Sequence, residues 1–188
     1  MAELLERIEA ALDRIDYSAR RYYVDKFMAE QIGQVPLSAR ILDVGGLRTG
    51  KRGLFDLEAT GRQAVYVNLS AKRAPHVLGS AEALPLAPAS FDAVIAAELL
   101  EHLQEPKTAL VEMAHVLRPE GLLILTVPFL FRIHADPADW ARYTETYLRS
   151  VLEETGFEAV KIEPQGGFFV QLAELARDYF YRLPPGSG

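Results

Sequence analysis

The 188-residue chain has no cysteine. Disulfides, zinc–thiolate sites, iron–sulfur clusters and cysteine nucleophiles are therefore excluded. It has no excess of positive charge: 20 Lys and Arg stand against 26 Asp and Glu, net −6, so the basic face of a nucleic-acid binder is not expected. It has no long apolar run. The longest, Leu122 to Leu130, contains Thr126 and Pro128 and falls far short of the roughly 20 residues a membrane span needs. The first residues, Met1 to Arg14, carry Glu3, Glu6 and Glu9 where a signal peptide would be basic and then apolar, so a cytoplasmic location is expected. Internal repeats and low-complexity tracts are absent. What is present is 49% hydrophobic and 24% charged, an ordinary globular composition with enough length to bury a core.

The pattern along the chain is helical first and alternating later. Leu4, Leu5, Ile8, Leu12 and Ile15 form a helical stripe, and Ser18 is placed to cap a second helix through Tyr22, Val24, Phe27 and Met28 toward Gly33. Four short apolar runs follow: 40–44, 64–68, 91–96 and 122–127. Such runs predict strands covered on both faces. Helices are expected from Pro106 to Leu117 and from Thr144 to Thr155, and Phe157 to Glu163 alternates like a fifth strand. Strand and helix in alternation predict a mainly parallel sheet with helices on both faces. The expected organisation is a helical N-terminal extension (1–39), an α/β domain (40–165), and an aromatic C-terminal helix and tail (166–188).

In an open parallel sheet, ligands bind beyond the carboxyl ends of the strands. The residues at those places are Asp43, Gly45, Gly46, Thr49 and Gly50 after the first run, Asn68 after the second, and Glu98, Glu101 and His102 after the third. Glycines there let backbone amides approach a ligand. The cluster fails the G-x-G-x-x-G spacing of nicotinamide sites, and Gly50-Lys51-Arg52 lacks the Ser or Thr of a phosphate loop.

The order of motifs is more specific than any one of them. Ile41-Leu42-Asp43-Val44-Gly45, Ala81-Glu82-Ala83-Leu84-Pro85, Ser90-Phe91-Asp92-Ala93-Val94, Leu100-Glu101-His102-Leu103 and Val116-Leu117-Arg118-Pro119-Glu120-Gly121 resemble class I S-adenosylmethionine-dependent methyltransferases, in particular the ubiquinone-biosynthesis-like group. The resemblance covers about Arg40 to Gln165. It implies a doubly wound, Rossmann-like sheet and S-adenosylmethionine as cofactor, with S-adenosylhomocysteine as product. It also implies Asp43, Gly45 and Gly46 around the methionine part, Asn68 on the ribose, Ser80, Ala81 and Glu82 beside the adenine, and Glu98 at the site. Three positions depart from the family pattern: Leu47 where a glycine is usual, Asn68 where the ribose acid is usual, and Ser80 for an aspartate. If Asn68 faces the ribose hydroxyls, Asn68→Asp is expected to tighten binding.

The acceptor side is expected in Pro128 to Thr144, where His134-Ala135-Asp136-Pro137-Ala138-Asp139-Trp140-Ala141-Arg142-Tyr143-Thr144 resembles a segment of one branch of these enzymes. His134 is placed to take a proton, Arg142 to clamp an anionic group, and Trp140 and Tyr143 to wall the pocket. Plainer roles stand beside these: Arg142 pairing with Asp139, Asp136 capping a turn, His102 orienting a loop, Glu98 and Glu101 solvated, and Phe129 to Phe131 in the core. No metal is expected. The function expected is methyl transfer to an oxygen or nitrogen of a small-molecule or glycan acceptor, with a homodimer as a possible assembly. The alternatives are a non-catalytic protein of the same fold acting as partner or scaffold and, less favoured, a nicotinamide enzyme. Class I relatives usually add an antiparallel strand after Phe157 to Glu163. Here Leu172, Leu175, Ala176 and Tyr179 are spaced as on a helix, so a helix is expected in its place, lying over the sheet edge or in a dimer contact.

Overall fold

Short β-rich runs that are apolar on both faces can be satisfied only inside a sheet covered on both sides. In the computed structural model, which describes residues 17–49, 53–135 and 137–182, they pair into a five-stranded sheet. Its strands are β1 (Arg40–Val44), β2 (Gln63–Asn68), β3 (Val77–Leu78), β4 (Phe91–Ala97) and β5 (Leu117–Thr126). The order is β3-β2-β1-β4-β5 and every pairing is parallel. Four α-helices are described: α1 (Ala19–Gln34), α2 (Pro106–Val116), α3 (Glu145–Glu154) and α4 (Phe168–Arg182). The chain order reverses between β1 and β4, and the crevice at their carboxyl ends is where an open α/β sheet receives its ligand.

The chain forms two compact units. One is Glu30–Arg52 with Asp56–Glu163; the other is Met1–Ala29, Gly53–Phe55 and Pro164–Gly188. The sheet unit is centred on β1 and β4, where Ile41, Leu42, Phe91, Ala93, Val94 and Ala96 are wholly buried. Pro106 opens α2 at a position whose N–H would have no helical partner, and Ala109, Leu110, Met113 and Val116 bury its inner face. Thr144 caps α3, its side chain accepting from the Tyr147 N–H, and Leu148, Val151 and Leu152 face the core. In the other unit, Ser18 caps α1 as expected, its hydroxyl accepting from the Arg21 N–H at 3.1 Å. The predicted stripe of α4 is exposed: Leu172, Leu175 and Tyr179 are each half exposed or more. The stripe predicted over Leu4 to Ile15 lies outside the described residues.

Two expectations are corrected. β5 begins at Leu117, so helix α2 stops one residue earlier than expected, and Arg118 to Gly121 makes an irregularity in the ladder between the Phe91–Leu117 and Ala93–Leu122 pairs. The segment 157–163 is not a strand. Phe157, Val160 and Ile162 still pack on the core, but Ala159 takes a φ of 50°, which breaks extended backbone. Sequence reading also missed β3, which at two residues carries no periodicity to read.

At the opposite end of the sheet from the crevice, Asp92 fastens β1 to β4 and β5. Its carboxylate accepts from the Arg40 N–H at 2.7 Å and pairs with Arg118. The Arg40 N–H and then the Arg118 guanidinium hold the Asp92 carboxyl below its ordinary value. A depressed carboxyl adds stability above its unfolded pKa and loses it as pH falls through the folded one. Asp92→Asn should therefore cost about 1–2 kcal/mol near neutrality. The gap to wild type in melting temperature should close below about pH 4. A gap independent of pH would assign the effect to packing.

Candidate functional site

The site begins where β1 ends. Gly45 takes a φ of 78°, a conformation glycine adopts without strain, and its N–H donates to the carbonyl of Val67 at 2.8 Å. A Cβ on Gly45 would lie 2.8 Å from Leu99, so the loop after β1 and the end of β4 are in close contact at the reversal of strand order. Gly46 is needed for a different reason: a Cβ there would sit 2.2 Å from the Asp43 carboxylate, which occupies that space. Glu98, just past β4, has a φ of 53°, unusual for a residue with a side chain. Its N–H is anchored by Thr126, to the carbonyl at 2.9 Å and to the hydroxyl at 3.2 Å.

Asn68 ends β2 and is committed to this loop. Its amide nitrogen donates to the carbonyls of Gly45 (2.9 Å) and Gly46 (3.1 Å), and its Oδ1 accepts from the Ser70 N–H at 2.9 Å. Both amide protons are used, so only Oδ1 keeps a lone pair for a ligand hydroxyl. A carboxylate at 68 would set an oxygen against two carbonyl oxygens, so the expected gain from Asn68→Asp is reversed. Past Gly46, Arg48 pairs with Glu58 at 3.0 Å and the Thr49 N–H donates to the carbonyl of Arg73; Gly50 lies outside the described residues.

The next loop is joined to the same rim, the Gly79 N–H donating to the carbonyl of Asn68 at 3.2 Å. The Ser80 hydroxyl accepts from the Glu82 N–H at 3.1 Å and shapes the Ala81–Glu82 turn. Ala81 is buried, and the Glu82 carboxylate accepts from the Glu105 N–H at 2.9 Å. Asp43, Gly45, Gly46, Asn68, Ser80, Ala81, Glu82 and Glu98 thus fall on consecutive loops of one sheet rim.

The acceptor segment is fastened to the turn Leu100–His102 at three points. The Trp140 N–H donates to the carbonyl of Glu101 at 2.7 Å. His102 Nδ1 lies 2.5 Å from the carbonyl of Ala138, so it carries the proton and donates. The Tyr143 hydroxyl donates to the carbonyl of Leu100 at 2.8 Å, and burial pushes that phenol up to about 12. Tyr143 is mostly buried and holds this turn, while its ring also borders the groove beside Trp140 and Tyr147.

Arg142 braces this segment. Its terminal nitrogens contact both Asp139 oxygens, at 2.5 and 2.8 Å, and the carbonyls of Ala141 and Arg132. Asp139 also accepts from the His134 N–H at 2.7 Å and lies 3.4 Å from His134 Nδ1. The Arg142 guanidinium holds the Asp139 carboxyl well below the usual carboxylate range. Arg142 pairs with Asp139 beside His134, and Tyr143 holds the turn at Leu100; both also border the groove next to Trp140.

His134 is brought to Glu101, which sequence reading had left solvated. Glu101 is fully buried, with Oε1 4.0 Å from His134 Nε2 and 3.7 Å from His102 Nε2. The signal available was an acid inside Leu99-Leu100-Glu101-His102-Leu103, directly after the apolar run 91–96. The two imidazoles meet edge to face, centroids 4.9 Å apart. Burial lowers the His134 pKa, which keeps the ring neutral at neutral pH. Phe129 and Leu130 are more than half exposed, contrary to their expected place in the core. Asp136 lies outside the described residues.

Residues 40–125 match the family model described as a methyltransferase domain. The chain is 32% identical over 148 residues to the O-methyltransferase rstn1 of Aspergillus nomiae, covering 65% of each protein. It is similar in fold to a structure from Thermotoga maritima described as a S-adenosylmethionine-dependent methyltransferase, possibly a histamine N-methyltransferase (21% identity, TM-score 0.55, 89% of this chain and 94% of that one). It is also similar in fold to the 1,6-didemethyltoxoflavin-N1-methyltransferase of Burkholderia thailandensis, solved with its substrate and S-adenosylhomocysteine (20% identity, TM-score 0.57, 86% and 78%). The parallel sheet, the glycine loop at its reversal point and these likenesses give the chain the fold of S-adenosylmethionine-dependent methyltransferases, and residues 40–125 match a methyltransferase domain. The chain spans about half to two thirds of the length of three curated relatives, rstn1 among them.

Proposed function

We propose that the protein transfers a methyl group from S-adenosylmethionine to an oxygen or nitrogen of a small-molecule acceptor. The observation that carries the reading is the pairing of two features at one end of the sheet. The loop Asp43–Gly46 is a tight backbone cradle at the switch point, and His134 is held against the buried Glu101 beyond it.

The residues fit the cofactor. The absence of a Cβ at Gly46 lets the Asp43 carboxylate sit against the loop backbone, and the acids Asp43, Glu82 and Glu98 on the rim suit a cationic ligand. Asp43 with the backbone of Gly45 and Gly46 would hold the methionine part, the Asn68 Oδ1 one ribose hydroxyl, and the turn Ser80–Glu82 the adenine. When bound, the cofactor supplies an electrophilic methyl on a sulfonium.

The chain's own residues handle the acceptor. The His134 Nε2, neutral at rest, takes the proton of the attacking group, and the carboxylate of Glu101 stabilises the imidazolium that forms. Asp139 and Arg142 fix the backbone and ring of His134. A groove of about 650 Å³ lined by Leu103, Lys107, Trp140, Tyr143 and Tyr147 is large enough for a small-molecule acceptor.

Calorimetric titration with S-adenosylmethionine and S-adenosylhomocysteine tests the reading, and ligand at 100 times its dissociation constant should stabilise the fold by about 2.7 kcal/mol. Neither heat nor thermal shift at millimolar ligand would turn the reading to the non-catalytic alternative.

A further inference from the structure

We propose that Glu101, His102 and His134 form a binding site for a divalent cation of the zinc class. Among the described residues these three each offer a ligand atom within 4.8 Å of the others. The donor set is two imidazoles and one carboxylate, which suits zinc and its neighbours rather than magnesium or calcium.

The orientation of the histidines is the second observation. A metal-ligating imidazole commonly donates its other ring N–H to a carbonyl or carboxylate, which fixes its tautomer and aim. Both rings here have that support. His102 Nδ1 faces the Ala138 carbonyl at 2.5 Å. His134 Nδ1 faces the Arg132 carbonyl at 3.3 Å and the Asp139 carboxylate at 3.4 Å. Each Nε2 is then left directed at the same buried oxygen, Glu101 Oε1, at 3.7 and 4.0 Å. Tetrahedral zinc with bonds of about 2.0–2.1 Å places its ligand atoms roughly 3.4 Å apart. The two separations from Glu101 Oε1, 3.7 and 4.0 Å, lie a little above this, and all three ligand atoms lie within 4.8 Å of one another, so binding draws the side chains together.

Glu101 is fully buried, while the His102 and His134 side chains are 10% and 17% exposed. Three protein ligands leave a fourth position free. Here the inference rests on the proposed methyl transfer and replaces its proton-acceptance step. With the cation bound, His134 Nε2 is a ligand and no longer a proton acceptor. An acceptor hydroxyl in the fourth position gives its proton to solvent water, and its oxygen attacks the methyl carbon as the carbon–sulfur bond breaks and S-adenosylhomocysteine forms.

Chelator-stripped protein is titrated with Co2+ and then Zn2+, read by visible absorption and by competition with a chromophoric chelator. One Co2+ per chain with intense four-coordinate bands, displaced by Zn2+, is expected. His102→Ala should weaken Zn2+ binding at least 100-fold, and His115→Ala, at an exposed histidine on α2, should leave it unchanged. Wild-type imidazole nitrogen NMR guards against misfolded variants: Zn2+ should shift Nε2 of His102 and His134 and leave His76 and His115 in place.

An aqueous-type cobalt spectrum, unmoved histidine signals, or equal affinity in His102→Ala overturns the site. S-adenosylhomocysteine binding without a cobalt site overturns this inference alone. A cobalt site without S-adenosylhomocysteine binding supports the metal site and overturns the methyl-transfer reading.

Discussion

Asp139→Asn is expected to lower the melting temperature by roughly 6–12 °C, the larger of two effects that follow from the site. Asp139 is nearly buried at the side chain and holds two partners at once: the Arg142 guanidinium, at 2.5 and 2.8 Å, and the His134 N–H, at 2.7 Å. Removing one charge of a mostly buried pair leaves the other unpaired, which costs about 3 kcal/mol. In a domain of this size 1 kcal/mol moves the transition by about 2–4 °C. The double variant Asp139→Asn, Arg142→Met should recover part of the loss, since no charge is then stranded. A single variant that melts with wild type would show that the pair adds nothing to the fold and that His134 is positioned by other contacts.

Asn68→Asp is expected to weaken S-adenosylhomocysteine binding about tenfold or more, equivalent to about 1.4 kcal/mol. On sequence alone the opposite is expected, because an acid binds ribose hydroxyls better than an amide. The structure reverses the sign: the Asn68 amide nitrogen is the donor that ties down the carbonyls of Gly45 and Gly46. An oxygen there repels both, and the cradle must open. Asn68→Ala removes the tie without adding repulsion and should lose less than Asn68→Asp. Calorimetry on the three proteins decides. Tighter binding in Asn68→Asp would mean that the side chain turns from the loop to the ligand.

The arrangement of the segment 128–144 was partly legible. The pairing of Arg142 with Asp139 is a local i, i+3 contact, and the sequence allows for it. The burial of Glu101 is not local. It depends on the Trp140 N–H reaching the Glu101 carbonyl and the Tyr143 hydroxyl reaching that of Leu100, contacts spanning about 40 residues of chain. No spacing rule connects them.

By itself the sequence determined the alternation of apolar runs and helices, the end of β1 at a glycine loop, the cap at Ser18, and the likeness to methyltransferases. Each is a local pattern or a chain-order motif, fixed by side-chain periodicity and by the few residues that tolerate a given turn. Tertiary structure alone decided that 157–163 packs on the core without joining the sheet, that Asn68 braces the loop by its amide protons, and that Glu101, His102 and His134 share one corner. Those outcomes depend on which backbone groups remain to be paired once β4, β5 and the segment after them have docked, and hydrogen-bond partners far apart in sequence leave no periodic trace along the chain.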